Sequence, residues 1–365
     1  MTRRRRRAAT LVAAALATSA GAQVPDWSIQ AQERLRAGPE ADPAQAPAER
    51  QRLVAQGEAC LAAGAVDCAR RAFEQAALIA HAADIEIGIV RAQMQAGEYR
   101  QALAFAAHTA GAHRESPSGR RLYAQLLRQG GQIVLAQRLL DDVGTGEAAP
   151  GRPVEGDAGF APYPVGDAAP PQARVIGSAV LLPDGRQAVT SQGLVGTGTP
   201  TWLRDGLGRT VRAELVRSDT GSGLALLQLA RPLGPTGMAL AARDPFPGVP
   251  GYVVAFAPST SAAAAWPQLS PGFLGRYRPG GGDRWLGIDN IDSEGAPVFD
   301  GGGQLAGISL PAGTDGRLRL GSIGALRALA GYAPDGAPAL PARRAPVDEI
   351  YEQALRSALQ VLAEP

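Results

Sequence analysis

Three glycines, Gly64, Gly97 and Gly131, recur at intervals of 33 and 34 residues within an otherwise helical stretch. That period constrains the front half of the chain more than any other feature. The segments GAVDCARRAFEQA, GEYRQALAFAAHT and GQIVLAQRLLDDV align on it. In each, the glycine turns the chain between two antiparallel helices. A small residue (Ala69, Ala102 or Ala136) lets those helices approach, and Phe73, Ala106 or Leu140 fills the groove between neighbours. About three such units are the minimum for a stack that buries its own core.

After a Pro-, Gly- and Ala-rich linker at residues 147–173, the periodicity changes from helical to alternating. VIGSAVLLP, QAVTSQGLV, TWLRD, VRAELVRS, LALLQL, YVVAFA, GFLGRY, RWLGID and QLAGISL are short apolar segments separated by DG, GG and PG turns. Many short strands so spaced predict an antiparallel barrel or sandwich. The expected fold class is multidomain α + β, an α-helical repeat region at residues 50–146 followed by an all-β domain at residues 174–332.

The helical region resembles the tetratricopeptide repeat, with Val90 and Ala124 standing where that family prefers glycine. The resemblance implies a concave surface for a peptide or a partner protein. The β region resembles the trypsin-like serine proteases, most closely their Deg-type bacterial members, and so implies an antiparallel double barrel. Three segments carry this second resemblance. GSAVLLPDGRQAVTSQGLV is similar to the strand, turn and strand end that deliver the catalytic histidine. VRAELVRSDTGSGLALLQL is similar to the element that delivers the aspartate, and DSEGAPVFDGGGQLAGISL to the loop that carries the serine. Position by position, the histidine falls on Gly193, the aspartate on Gly223 and the serine on Glu294.

A serine hydroxyl attacks only when a base takes its proton and a third group orients that base. Shifting the register by one makes Ser293 a nucleophile, but no base follows. The chain has three histidines, His81, His108 and His113, all in the helical repeats, and it has no lysine. The resemblance therefore implies a pseudoprotease, with the loop Asp292, Ser293, Glu294 and Gly295 as the expected peptide-binding element. The acids Asp289, Asp292 and Glu294 read as solvated loop residues. A Glu294 carboxylate turned into the old oxyanion hole, or a collapsed loop, are the two expectations for the altered site.

The remaining features set the compartment and exclude other classes. A formal net charge of +2 with scattered arginines leaves no basic stripe for a nucleic acid. Arg3–Arg7, the apolar run ATLVAAALATSA and the small residues Ala20-Gly21-Ala22 predict a signal peptide over residues 1–22, cut after Ala22, and a periplasmic or secreted protein. Residues 23–49 and 333–346 read as linkers. Cys60 and Cys68, eight apart, have too few neighbouring ligands for a metal and read as a structural disulfide, with two buried thiols as the alternative. No cofactor or metal is expected. Residues 347–365 have two readings. One is a helix and strand that supply the missing first strand of the barrel. The other is an amphipathic helix with Ile350, Leu355, Leu359 and Leu362 on one face.

These features together predict an exported, non-catalytic adaptor for proteins or peptides, not integral to a membrane. Its rivals are an active serine-type peptidase rearranged around Ser293 and a structural component of an envelope or secretion assembly.

Overall fold

The computed structural model describes residues 46–142, 160–277, 284–288, 293–311, 318–332 and 344–364. The expected signal peptide, most of the first linker, residues 333–343 and Asp292 lie outside the described residues. Within them, six helices come first: α1 (Ala46–Ala62), α2 (Val66–Ile79), α3 (Ala83–Ala96), α4 (Tyr99–Ala112), α5 (Pro117–Gln129) and α6 (Ile133–Asp141). They form three hairpins, and the periodic glycines stand at the three turns with φ of 72°, 74° and 84°. A left-handed backbone is open to glycine and strained for a residue with a Cβ, which is why the repeat shows a glycine there. Phe73, Ala69, Ala102, Ala106 and Ala136 are buried as the repeat pattern requires. Cys60 of α1 and Cys68 of α2 are joined across the Gly64 turn, with their Cα atoms 5.8 Å apart.

The strands follow: β1 (Val165–Gly166), β2 (Arg174–Leu181), β3 (Gln187–Ser191), β4 (Thr201–Asp205), β5 (Arg209–Asp219), β6 (Leu224–Leu229), β7 (Val249–Ala255), β8 (Gln268–Tyr277), β9 (Arg284–Gly287), β10 (Pro297–Asp300), β11 (Leu305–Leu310), β12 (Arg319–Ser322) and, at the end of the chain, β13 (Ala358–Ala363). Helices α7 (Ile323–Ala330) and α8 (Val347–Ser357) lie between the last two. Strands β5, β4, β13, β2, β3 and β6 pair in that order, and a β5–β6 ladder closes the ring. The two-residue β1 adds to β5 in parallel outside it. Strands β7 to β12 close a second barrel in the order β10-β11-β12-β9-β8-β7. All nine segments read from the sequence as strands lie in these two barrels.

The C-terminal segment is a helix running into a barrel strand, the first of its two readings, and not a single amphipathic helix. Ile350 and Leu355 do belong to a helix, but Leu359 and Leu362 belong to a strand. β13 is hydrogen-bonded on both sides, Leu359 pairing with Ala179 of β2 and with Asp205 of β4. All six of its residues are buried. A strand covered on both faces shows no polar–apolar alternation, so its sequence resembles a continuation of the helix before it.

Helix α8 fastens the barrel to the helical hairpins. The Tyr351 ring meets Tyr99 of α4 edge-on, 4.5 Å between centroids, and its hydroxyl donates to the Pro267 carbonyl at 2.7 Å. Burial holds the Tyr351 phenol well above its ordinary pKa, so it stays a neutral donor. Arg356 donates to the carbonyls of Ala96 and Gly97, filling acceptors that the C-terminus of α3 leaves open. Glu352 accepts from the Arg100 backbone and guanidinium at 2.9–3.2 Å. Val90, Met94 and Leu122 of the helices thus share one apolar cluster with Val175, Leu224, Phe299 and Leu355.

Residues 160–173, within the stretch read as linker, are also held. Gln95 of α3 donates to the carbonyls of Tyr163 and Leu207 and accepts from the Tyr163 N–H. The Tyr163 hydroxyl bonds Glu58 at 2.7 Å, and Gln125 donates to the Phe160 carbonyl. Two aromatics in a Pro/Gly-rich run are the anchors that bind it.

Because β13 fills the middle of the first barrel, Leu359→Ala is expected to cost ~2–5 kcal/mol of unfolding free energy in a urea titration. A cost below about 1 kcal/mol would show that the strand is dispensable to the barrel.

Candidate functional site

Three turns meet where the barrels face each other. The first follows β3, a single 3-10 turn over Gln192–Leu194. The second joins β5 to β6 through Asp219–Gly223, and the third enters β10 at Ser293–Ala296. The Gln192 N–H donates to the Gly223 carbonyl at 2.9 Å, which ties the first to the second. The Ser178 N–H of β2 donates to the Glu294 carbonyl at 2.8 Å, which ties the third to the first barrel. A Cβ built on Gly193 would lie 3.9 Å from Glu294 Oε2 and 4.0 Å from Ser191 Oγ, with nothing closer among the described residues. Gly193, Gly223 and Glu294, the positions matched from the sequence, are therefore brought together.

The third turn is held by a chain of serine hydroxyls. Ser293 is buried, and its Oγ lies 2.8 Å from Ser178 Oγ, which in turn accepts from the Phe256 N–H at 2.9 Å. The buried Ser309 hydroxyl donates to the Ser293 carbonyl at 2.8 Å and accepts from the Ala296 N–H at 3.0 Å. Gly295 donates to the Ser309 carbonyl at 2.7 Å with φ of 77°. A Cβ there would lie 2.0 Å from the Ser178 carbonyl oxygen and 2.4 Å from Thr190 Oγ1, so only glycine lets β2 pass this close.

Chemically, the arrangement supplies little that activates a nucleophile. Ser293 faces another hydroxyl rather than a base. Gly223, at φ of 72°, fronts Leu310 of the second barrel. The nearest acid on that turn, Asp219, bonds its own turn, accepting from the N–H groups of Gly221 and Ser222 at 3.2 Å. Hydrogen bonding from Ser222, and then from Gly221, holds its carboxyl below the ordinary value. The Glu294 carboxylate is partly exposed and accepts no hydrogen bond among the described residues. The expectation that it would satisfy oxyanion-hole donors is not met among them. The reason is visible in the turn: the Gly295 and Ala296 N–H groups are already spent on Ser309.

Sequence reasoning missed one constellation altogether. His81, His108 and His113, the three histidines of the chain, gather around Glu86 in the helical region. The signal that would have found it is the repeat itself. His81 and His113 are 32 residues apart, about one repeat, and so fall in equivalent connections at one end of the stack.

Residues 177–308 match the family model of the trypsin-like peptidase domain. The match and the two closed six-stranded barrels define the second half of this chain as a trypsin-like domain, which follows the helical hairpins. Solved structures similar to the chain include the MamO protease domain from Magnetospirillum magneticum in its apo form, 16% identical, with a TM-score of 0.33, covering 44% of this chain and 95% of that one. Another is an inactive mutant form of Rv3671c from M. tuberculosis, 14% identical, with a TM-score of 0.33, covering 44% of this chain and 84% of that one. No curated protein matches the chain.

This geometry separates two neighbouring substitutions. Gly295→Ala should lower stability by more than the ~1–2 kcal/mol of a left-handed backbone alone, because the Cβ also meets the Ser178 carbonyl. Glu294→Gln should change it by no more than about 0.5 kcal/mol. Chemical denaturation of the two variants checks the pair, and equal effects would refute the assignment.

Proposed function

We propose that this protein is an exported, non-catalytic adaptor that binds proteins or peptides through its helical hairpins and its trypsin-like domain. One observation carries the reading. Where the three turns converge, Gly193 and Gly223 supply no side chain, and Glu294 is the only ionisable group within 4 Å of the Cβ direction of Gly193 among the described residues. If these are the positions of a lost triad, neither a base nor its orienting acid remains.

The rival with Ser293 as nucleophile is disfavoured by its surroundings. The residue is 1% exposed and its hydroxyl bonded to Ser178, which leaves substrate little approach to it. Export is supported by the Cys60–Cys68 bridge, which suits an oxidising compartment. No helix among the described residues is long and apolar enough to cross a membrane. The loop Asp292, Ser293, Glu294 and Gly295 is the proposed peptide-contacting edge of the cleft, with Glu294 as its charged group.

The test has two arms on the mature full-length protein. Casein and small peptide esters should not be turned over above a no-enzyme control, and Glu294→Ser should be no more active, since no base is restored. Immobilised protein should retain a partner from a periplasmic extract, at a level reduced by Glu294→Arg. Turnover that persists through repurification would refute the absence of catalysis. Retention of nothing above background would refute the adaptor role.

A further inference from the structure

We infer that His81, His113 and Glu86, with His108 closing the set, form a binding site for one divalent transition-metal ion, zinc being the ion whose chemistry fits best. The four residues come from separate places in the sequence. His81 lies in the connection between α2 and α3, and Glu86 in the first turn of α3. His108 is near the end of α4, and His113 caps that helix. Antiparallel hairpins bring these points to one end of the stack.

The ligand atoms of His81, Glu86 and His113 are gathered closely, with His108 facing the same carboxylate from further off. Glu86 Oε1 lies 2.5 Å from His81 Nε2 and 3.7 Å from His108 Nε2, and Glu86 Oε2 lies 3.5 Å from His113 Nε2. One ligand atom from each of His81, Glu86 and His113 falls within 4.8 Å of the others. Four ligands at zinc bond lengths of ~2.0–2.1 Å stand about 3.3 Å apart in a tetrahedron, so small side-chain adjustments would seat an ion here.

Two buried atoms point into the set without partners. The Glu86 side chain is 4% exposed and that of His113 10%, yet Glu86 Oε2 and His113 Nε2 have no hydrogen-bond partner among the described residues. A buried polar atom left unpaired costs free energy, and a buried carboxylate costs more. The only ion-pair partners of Glu86 among the described residues are the three imidazoles. No arginine among the described residues balances it, and a divalent cation would satisfy carboxylate and imidazole lone pairs together.

The surroundings also orient the ligands. Glu115 sits 3.5 Å from His113 Nδ1, the nitrogen facing away from Glu86. A carboxylate on that side favours the tautomer whose Nε2 lone pair faces the ion, the outer-shell arrangement common to metal-bound histidines. The His108 ring is held by stacking on Phe105, 5.7 Å between centroids with an 18° interplanar angle. Imidazole nitrogens with one carboxylate select zinc, copper, nickel or cobalt over magnesium and calcium, which prefer all-oxygen sets. The role we assign is structural: a clasp tying the connection before α3 to the end of α4. It is independent of whether the barrels bind or cut anything.

The test uses untagged, chelator-treated full-length protein titrated with Zn2+ by calorimetry, with metal content measured after dialysis. One ion per chain is expected, with a melting temperature several degrees higher in Zn2+ and unchanged in Mg2+. Glu86→Gln and His113→Ala should each weaken binding at least tenfold. His81 is exposed, so His81→Ala should fold as the parent does, by circular dichroism, and still lose at least tenfold in affinity. Co2+ substitution should give the visible absorption of a tetrahedral site in the parent and not in His81→Ala. Failure of the parent to bind Zn2+, or parental affinity in a folded His81→Ala, would overturn the assignment.

Discussion

The last strand of the chain sits in the middle of its first barrel. β13 is paired with β2, about 180 residues earlier, and with β4, and both ladders run nearly its whole length. Without it, β2 and β4 would each present an unpaired edge, and the ring would open. The helix that leads into β13 is the one that grips α3 and α4 through Arg356, Glu352 and Tyr351. A single C-terminal segment therefore joins hairpins and barrel into one body. Contacts of such long sequence separation make folding of the first barrel wait for the end of the chain.

The convergence of the three turns is built on the same economy. The turn that would carry a nucleophile is fixed by hydroxyls reaching across the barrels, Ser178 from the first and Ser293 and Ser309 from the second. Serine suits this seam because one hydroxyl both donates and accepts, satisfying two buried backbone groups in little volume. The same burial that makes Ser293 a good strut removes it from solvent. The strand-to-turn geometry around Gly193 rests on backbone bonds, such as Gln192 to Gly223, rather than on side chains.

Much of this was legible in the sequence for identifiable reasons. Gly64, Gly97 and Gly131 announce the hairpins because a left-handed turn tolerates little else. The strand segments stand out because they are short apolar runs bounded by DG, GG and PG turns. What stayed hidden depends on long-range placement. β13 admits a helical reading beside the strand one, because it is covered on both faces and lacks alternation. Phe160 and Tyr163 anchor a stretch whose composition reads as linker, since two aromatics do not shift a Pro/Gly-rich average. Which of the two expectations for Glu294 holds depends on Ser309, a residue one strand away that takes the nearby N–H groups of Gly295 and Ala296. The histidine–glutamate set follows no local spacing and emerges only when hairpins stack.

The central claim of the proposed function is that this trypsin-like domain carries no activated serine. Intact-mass spectrometry after incubation with a fluorophosphonate reads this most directly, because the probe reports any activated serine regardless of substrate preference. The account predicts an unmodified mass for the folded protein. A single adduct that maps to Ser293, and disappears in Ser293→Ala, would contradict it.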